Sequence, residues 1–537
     1  MKAIWNKFSN EKRDTLFPVG NGRLAAQISI NSSPAFEEIL LYEESLWSKP
    51  YSNRNNPNSQ KDLSKISSHL KEGHNTEAAD LIKTSVAPLT ENHSVYNSVP
   101  TASLQVKSYL AATAVEFSEF TDQKTTLDME NGILSRAFSA ESPLPSTADL
   151  SRTTRDSSIQ YTQDIFASQS QDVIVLHFSA STPKSIFFRA CFSNTQNAYK
   201  AYGLGEDTIA LQYTYPIPHT VMATAVTSGG TVCVKGATIV VENADEATIY
   251  VDIQTAYRHS HYRRKKGDTH IAPKSLATWT SDRALKNLCF ASSSVYTDLY
   301  KDHVQEFSSL YNETKLNLNS SSDSISYDEF VNKKNEAENA VAETVYDFSK
   351  YLNVCSSAKN GTLNSSLWGG LTSCKAFIPL CAYSVNVPQI QTFNILKKLY
   401  KNGKKTARVM FGLEGFAGFE TTDIWGDSAP CANSQVLFPS GGIFASLAVR
   451  SYYEHTMDYK FLKKNFYIIK EACRFFAGYL EQNFFVEENE KKLIAKLFDA
   501  AIECARDFNE QKFLPLIEEW KIIRAALGNL YELEEDE

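Results

Sequence analysis

The pattern of hydrophobic positions changes near residue 325. Before that point, short runs of β-branched and aromatic residues alternate with stretches rich in Ser, Thr, Asn and Gly. Runs of this length separated by turn residues are typical of antiparallel strands, so we predict a large N-terminal β-sandwich. The predicted strands lie at 172–178, 185–191, 208–213, 231–234, 238–241 and 247–255.

The second half of the chain shows helical periodicity instead. Apolar residues recur at positions i, i+3, i+4 and i+7 along 462–480, and similar stripes surround 393–400 and 493–508. One helical stripe occurs early, over about 60–87 with a break at Gly73, and we expect it to form a helical excursion on the sandwich.

Domain boundaries follow from the join between the two patterns. The Ser-, Asn- and Asp-rich stretch 317–326 has the composition of a linker, and 327–352 has the charge and periodicity of one long connecting helix. We therefore predict a multidomain β-then-α chain: an antiparallel β-sandwich domain over 1–316, a linker helix region over 317–352 and a helical domain over 353–537.

Composition and charge narrow the classes of protein. With 537 residues, 42% of them hydrophobic and 22% charged, the chain is predicted to fold into two or three globular domains. The net charge is −8, whereas nucleic-acid-binding proteins generally carry an excess of basic residues, so we expect no nucleic-acid partner. A neutral or cationic small partner fits this charge better.

Cysteine usage and apolar runs give expectations about location. The nine cysteines are odd in number and show no C-x-x-C spacing, which predicts neither a disulfide framework nor a zinc ribbon but a reducing compartment. Residues 1–10 lack a signal-peptide pattern, and no run approaches the roughly 18–20 apolar residues of a transmembrane helix. We therefore expect a cytoplasmic protein with no membrane partner.

The segment 422–430 combines two carboxylates with an indole. Asp423 and Asp427 flank Trp425 in a stretch whose Gly and Pro residues disfavour regular helix. Carboxylates accept hydrogen bonds from sugar hydroxyls and an indole stacks on apolar C–H faces, so the segment is a candidate carbohydrate site. A loop capped by an Asp, with Trp425 buried, explains the same pattern without a ligand.

Two further patches lie near the N-terminus. The glycine-rich stretch 18–24 lacks the Lys-Ser/Thr of a phosphate-binding loop, so Gly20 and Gly22 are interpreted as tight-turn residues. The patch 41–48 again places acids beside a Trp, and a half-exposed strand end is the competing interpretation.

Histidines occur at two further candidate functional sites. The basic segment 258–266 contains His259 and His261 without a third ligand nearby, so a metal or polyanion site competes with a solvated loop. His303 is a candidate catalytic base, and a structural histidine is the competing interpretation.

The order of the patches along the chain resembles glycoside hydrolase family 95, the inverting α-L-fucosidases. The resemblance runs from about Trp5 to about Leu480 and rests on the stretches 18–24, 41–48, 54–57, 166–168, 361–363 and 422–427. It implies an N-terminal β-sandwich, a helical linker and an (α/α) barrel whose cleft removes terminal α-1,2-linked fucose from glycans. The implied partner is a fucosylated oligosaccharide, and neither a metal nor another cofactor is implied.

The resemblance also assigns site residues. Asn386 corresponds to the first of two asparagines that hold the attacking water, which makes it the candidate catalytic residue. Asp423, Trp425 and Asp427 are the candidate substrate-binding residues.

The match departs from the family at catalytic positions. Ser384 replaces a histidine, Pro388 replaces the second asparagine, and the segments that carry the general acid and the general base are not recognisable. Inverting hydrolysis needs both groups, so we expect impaired or absent catalysis. Two alternatives stay open: a non-catalytic fucoside-binding, glycan-binding or interaction protein, and a decayed, truncated homologue.

The length of the helical domain sets a further expectation. Residues 353–537 have room for about six to eight helices, fewer than a closed double ring requires. We therefore expect a partial (α/α) barrel. Its apolar stripes would be rearranged, covered by a partner or a second copy, or left exposed in a marginally stable protein.

Overall fold

The computed structural model divides the chain into two units. The described residues are 2–5, 16–29, 35–47, 50–87, 101–109, 120–141, 158–193, 198–318, 324–326, 339–356, 393–419, 422, 424–430 and 437–528. By their contacts, the described residues up to 50 and those from 101 to 356 form one compact unit, the sandwich unit. The described residues of 51–87 and 393–528 form the second, the helical unit.

The described strands all belong to the sandwich unit. They are β1 (Lys2–Trp5), β2 (Leu16–Gly20), β3 (Leu24–Ser29), β4 (Phe36–Glu43), β5 (Ala102–Tyr109), β6 (Phe120–Asp128), β7 (Ile133–Glu141), β8 (Ser158–Ser168), β9 (Val173–Ala180), β10 (Ile186–Ser193), β11 (Lys200–Leu204), β12 (Thr208–Tyr213), β13 (His219–Ser228), β14 (Thr231–Lys235), β15 (Thr238–Ala244), β16 (Glu246–Thr255) and β17 (Ser324–Ser326).

These strands form two sheets. The larger has ten strands in the order β11-β12-β13-β16-β9-β8-β7-β6-β1-β17, and the smaller has seven in the order β14-β15-β10-β5-β4-β3-β2. Neighbouring strands pair antiparallel except β1 and β17, which are parallel. The predicted antiparallel sandwich is confirmed.

Helices dominate the rest of the described chain. They are α1 (Ser59–Lys71), α2 (Asn75–Leu81), α3 (Ser260–Arg264), α4 (Pro273–Ser292), α5 (Tyr296–Tyr311), α6 (Asn339–Ser356), α7 (Phe393–Thr406), α8 (Gly441–Thr456), α9 (Tyr459–Glu481), α10 (Glu488–Asp507) and α11 (Leu514–Ala526). The predicted order, sheets first and helices afterwards, is confirmed. In this described part, no helix is both long and apolar enough to cross a bilayer.

Two apolar layers stabilise the sandwich unit. The inner faces of both sheets share one core, to which Leu24 of β3 and Ile174 of β9 contribute. On the outer face of the larger sheet, α4 and α5 supply Leu288 and Leu299 to a second core. Because the sheet is covered on both faces, every residue of β16 after Glu246 is buried, instead of alternating between buried and exposed.

The helical unit has an aromatic core of its own. Phe411, Phe475 and Phe476 lie at its centre, and Leu63 and Ile66 of α1 pack against the same cluster. The helical excursion predicted over about 60–87 therefore exists, as α1, α2 and a π-helical turn, but it belongs to the helical unit. Its expected place on the sandwich was wrong, because its apolar stripe joins the core of the helical unit.

The linker region is described only in part. The helix α6 falls within the predicted 317–352 region for most of its length, but its contacts place it in the sandwich unit. Residues 327–338 lie outside the described chain, so the single long connecting helix stays a prediction there. The linear boundaries at 316 and 352 differ from the two units, because 51–87 joins residues that come much later in the sequence.

Candidate functional site

Sequence patches that lie far apart along the chain meet in the sandwich unit. Arg258, the first residue of the basic segment, forms ion pairs with Glu43 and Glu44 of the patch 41–48. The distance from Arg258 Nη2 to Glu43 Oε1 is 2.7 Å, and the Arg258 side chain is only 13% exposed. Arg258 is therefore part of a buried ion-pair network, unlike Arg263 and Arg264, which are exposed.

A second arginine enters the same network from the stretch 18–24. Arg23 Nη2 lies 2.7 Å from Asp252 Oδ1, and Arg23 Nε lies 2.6 Å from Asp172 Oδ2. Its Nη1 donates to the Ile253 carbonyl at 2.6 Å. We call this group the charge cluster; its members are Arg23, Glu43, Glu44, Asp172, Asp252 and Arg258.

Burial shifts the protonation equilibria of the charge cluster. It raises the pKa of Glu44 to about 7, with a further rise from the charge of Glu43 and an opposing effect of Arg258. Burial disfavours the charged form of Arg258, but Glu43 and Glu44 outweigh that effect and raise the pKa of Arg258. Glu44 therefore changes charge near neutral pH while its arginine partner stays charged. Because Glu44 is only 2% exposed, its carboxyl is closed to a substrate.

The tight turn that delivers Arg23 to the cluster depends on Asn21 and Gly22. Asn21 Oδ1 accepts hydrogen bonds from the backbone N–H groups of Arg23, at 3.0 Å, and Leu24, at 2.8 Å. Gly22 has a φ of 84°, a conformation that glycine adopts at no steric cost. The turn interpretation of Gly22 is thus confirmed. Asn21 Nδ2 also donates to the Ser168 carbonyl at 2.8 Å, which brings the stretch 166–168 to the same place.

In the helical unit, the stretch 54–57 meets the segment 422–430. Arg54 Nε donates to Asp427 Oδ2 at 2.8 Å, and the two side chains are 1% and 2% exposed. Asp427 Oδ1 accepts a hydrogen bond from the Ala429 backbone N–H at 3.3 Å. Both carboxylate oxygens of Asp427 are therefore engaged within the protein.

Neutral side chains from α7 hold the rest of this segment. Thr406 Oγ1 donates to Asn55 Oδ1 at 2.7 Å and lies 2.6 Å from Ser428 Oγ. Asn402 Nδ2 donates to the Trp425 carbonyl at 3.0 Å. Since α7 is a regular helix, these contacts fix the backbone of 424–430 to a rigid element.

Two of the three predicted substrate-binding residues, Trp425 and Asp427, lie in the described part of the chain, and both are buried. Trp425 is 4% exposed, and its ring meets Tyr51 edge-on with centroids 5.8 Å apart. With Asp427 buried as well, this is the arrangement that explains the segment without a ligand. Contact of Trp425 and Asp427 with a sugar stays a prediction. Asp423 and the predicted catalytic Asn386 lie outside the described residues.

His303 has the surroundings of a structural histidine. It is fully buried on α5, its ring stacks on Phe166 at 4.5 Å between centroids, and Nε2 lies 3.4 Å from the Gly132 carbonyl. Burial lowers the pKa of His303 to about 4, so it is neutral at physiological pH. Its apolar neighbours and burial favour the structural interpretation over that of a catalytic base.

Sequence reasoning assigned no chemistry to Arg54, Asn55 or Thr406. The only signal was the presence of Arg54 and Asn55 in one of the stretches that carry the resemblance. Their partners lie 373 and 351 positions away along the chain, which no local pattern could have indicated.

Two family models match this chain. The N-terminal domain of glycosyl hydrolase family 65 matches residues 4–260. The catalytic domain of glycosyl hydrolase family 95 matches residues 295–387 and 380–497, in two segments that overlap.

Individual proteins agree with these matches. Alpha-L-fucosidase 2 of Arabidopsis thaliana is 22% identical over an alignment of 512 positions, which covers 86% of this chain and 56% of that protein. The chain thus spans about half the length of this relative. A structure described as a kojibiose phosphorylase from the human microbiome aligns with a TM-score of 0.59 and 12% identity, over 98% of this chain and 68% of that one. This likeness concerns the fold alone. By its catalytic-domain match and its curated relative, the chain is related to glycoside hydrolase family 95.

Proposed function

We propose that this chain is a carbohydrate-active, glycosidase-like protein of the inverting α-L-fucosidase type, in which hydrolysis of terminal α-1,2-linked fucose from glycans is impaired or absent. Its relationship to family 95 and to an α-L-fucosidase supports a carbohydrate as the substrate class. The observation that carries the impairment is the sequence around Asn386, where Ser384 and Pro388 replace a histidine and an asparagine of the family pattern.

The replacement by proline has a direct chemical consequence. An inverting glycosidase activates a water from the face of the sugar opposite to the leaving group, so that water must be held in place. Pro388 has neither a side-chain amide nor a backbone N–H, and it cannot replace the hydrogen bonds of an asparagine. Losing general acid–base assistance costs about 10²–10⁴ in rate for each group.

Two acidic side chains of the helical unit, those of Asp427 and Glu414, are poorly placed to compensate. Asp427 is buried against Arg54, and both of its oxygens accept hydrogen bonds. Glu414 is 63% exposed and forms a surface ion pair with Arg474. Glu420 and Asp423 lie outside the described residues, and both stay candidates for a substitute carboxylate.

Recognition without turnover is the second candidate function, and the same replacements favour it. Binding a fucoside needs hydroxyl partners and an apolar face, but it needs neither an acid nor a base. A cytoplasmic location and a partner or second copy over the helical domain are further proposals, which rest on the sequence pattern alone.

Release of free fucose from 2′-fucosyllactose tests the proposal. We expect the purified chain to release little or no fucose. Asn386→Ala and Asp423→Asn should leave this low rate unchanged, because it does not come from an intact catalytic site. Thermal unfolding of each variant verifies that it is folded. Robust turnover that either substitution abolishes would contradict the proposed impairment.

A further inference from the structure

The turn between α1 and α2 carries a cluster of potential metal ligands. His69 lies in the last turn of α1, Glu72 follows the helix, and His74 directly precedes α2. The candidate ligand atoms of these three side chains all lie within 4.8 Å of one another. His74 Nδ1 is 3.3 Å from Glu72 Oε2, and the two imidazole ring centroids are 5.9 Å apart.

The backbone holds the three residues in this arrangement. The His74 N–H donates to the His69 carbonyl at 2.8 Å, and the Glu72 N–H donates to the Ser68 carbonyl at 3.0 Å. Between them Gly73 has a φ of 78° and reverses the chain. The positions of His69 and His74 are therefore set before any ligand binds.

His69 offers a second, independent observation. Its Nδ1 atom is buried and has no hydrogen-bond partner among the described residues. A neutral imidazole carries one nitrogen lone pair, which a metal ion can accept as readily as a hydrogen-bond donor can. Glu72 and His74 are exposed, so their side chains are free of packing constraints when they turn towards a common ion.

We propose that His69, Glu72 and His74 bind a zinc ion. Two imidazoles and one carboxylate suit zinc, whereas Mg²⁺ and Ca²⁺ prefer oxygen ligands alone. Zinc bonds of about 2.0–2.2 Å place tetrahedral ligand atoms roughly 3.4 Å apart, so small rotations of the exposed side chains complete the site. Water fills the fourth position. The ion joins the end of α1 to the start of α2 and stabilises this corner of the helical unit.

Titration with zinc tests the site directly. The full chain, expressed without a histidine tag and freed of metal, is titrated with Zn²⁺ against a chromophoric chelator. We expect one zinc ion per chain. Because the loss of even an outer-shell partner costs about 10–100-fold in metal affinity, His74→Ala and Glu72→Gln should each weaken binding at least tenfold. Both residues are exposed, so neither substitution endangers folding.

A matched control separates this site from other histidines. The double variant His259→Ala/His261→Ala removes the histidine pair of the basic segment and should bind zinc as the unmodified chain does. Co²⁺ in place of zinc should give the intense visible absorption of tetrahedral coordination, and His69→Ala should remove it. The proposal is overturned if no stoichiometric zinc binds, or if binding survives unchanged in both His74→Ala and Glu72→Gln.

Discussion

Two largely buried groups of charges, one in each unit, differ in their composition. In the sandwich unit, the charge cluster shares two arginines among four carboxylates, and one of these, Glu44, has a pKa of about 7. In the helical unit, Arg54 faces Asp427 in a buried ion pair. A cluster that contains a weakly acidic carboxyl can compensate for the loss of a cation, because that carboxyl can take up a proton. A buried pair that loses one member keeps an uncompensated charge.

The largest expected difference between the units is their response to acid. Burial lowers the pKa of His177, His219 and His303, all in the sandwich unit, from 6.5 to about 4. The stability that these neutral histidines contribute is fully present above pH 6.5. It is lost as the pH falls towards 4, because the unfolded chain then binds more protons than the folded chain does. Each pKa shift changes the free energy of unfolding by at most roughly 3 kcal/mol. The raised pKa of Glu44 acts in the opposite direction, but it is one group against three.

Unfolding in urea at about pH 7 and about pH 5 measures this difference. A hydrogen-exchange pulse at one common pH, followed by mass spectrometry, reports the unfolded fraction of each unit separately. We expect the sandwich-unit peptides to unfold at lower urea in acid, and His303→Leu to reduce that pH dependence. An equally steep acid response in the helical unit would show that the three buried histidines do not make the sandwich unit more sensitive to acid.

The next largest effect concerns the buried pair of the helical unit. Arg54→Met leaves the Asp427 carboxylate buried without this cation, so we expect the free energy of unfolding to fall by about 3–5 kcal/mol. The double variant Arg54→Met/Asp427→Leu should recover most of that loss, since it removes both charges. Urea denaturation of the three proteins gives the values.

Arg474→Met is the matched control for Arg54→Met. Arg474 pairs with Glu414 on the surface of the same unit, where the side chains are 57% and 63% exposed. Exposed pairs of this kind contribute at most about 1 kcal/mol. If Arg54→Met costs no more than Arg474→Met, the buried pair does not stabilise the fold as described.

The smallest effect is expected in the charge cluster. Arg258→Met removes the cation next to Glu43 and Glu44, but protonation of Glu44 compensates part of the loss, so we expect a cost of about 1–3 kcal/mol. That cost should shrink between about pH 8 and about pH 6, as Glu44 becomes neutral. Urea denaturation at both pH values checks it, with Arg54→Met measured alongside. A pH-independent cost for Arg258→Met would show that the cluster does not take up a proton.

The order of sheets and helices was predictable because strands and helices bury side chains with different periods. What each element packs against was not. The apolar stripe of α1 shows which face is buried, but it does not show whether a sheet or Phe411 covers that face. The early helices were therefore assigned to the wrong unit.

The candidate site was less predictable than the fold. Arg258 begins a run of cations that reads as a solvated loop, yet its partner Glu43 lies 215 positions away in a buried strand end. Asp427 was identified from its own segment, whereas its partner Arg54 was noticed only as part of a resemblance. Ion pairs between distant segments depend on tertiary structure, and a single sequence does not record which charges meet.

Isothermal titration of the purified chain with 2′-fucosyllactose tests the central claim most directly, because binding and hydrolysis give different heat signals. Binding gives heat pulses that diminish to saturation, and turnover gives a sustained heat flow after each injection. We predict saturable binding without sustained heat flow. Sustained heat flow that Asn386→Ala abolishes would contradict the account.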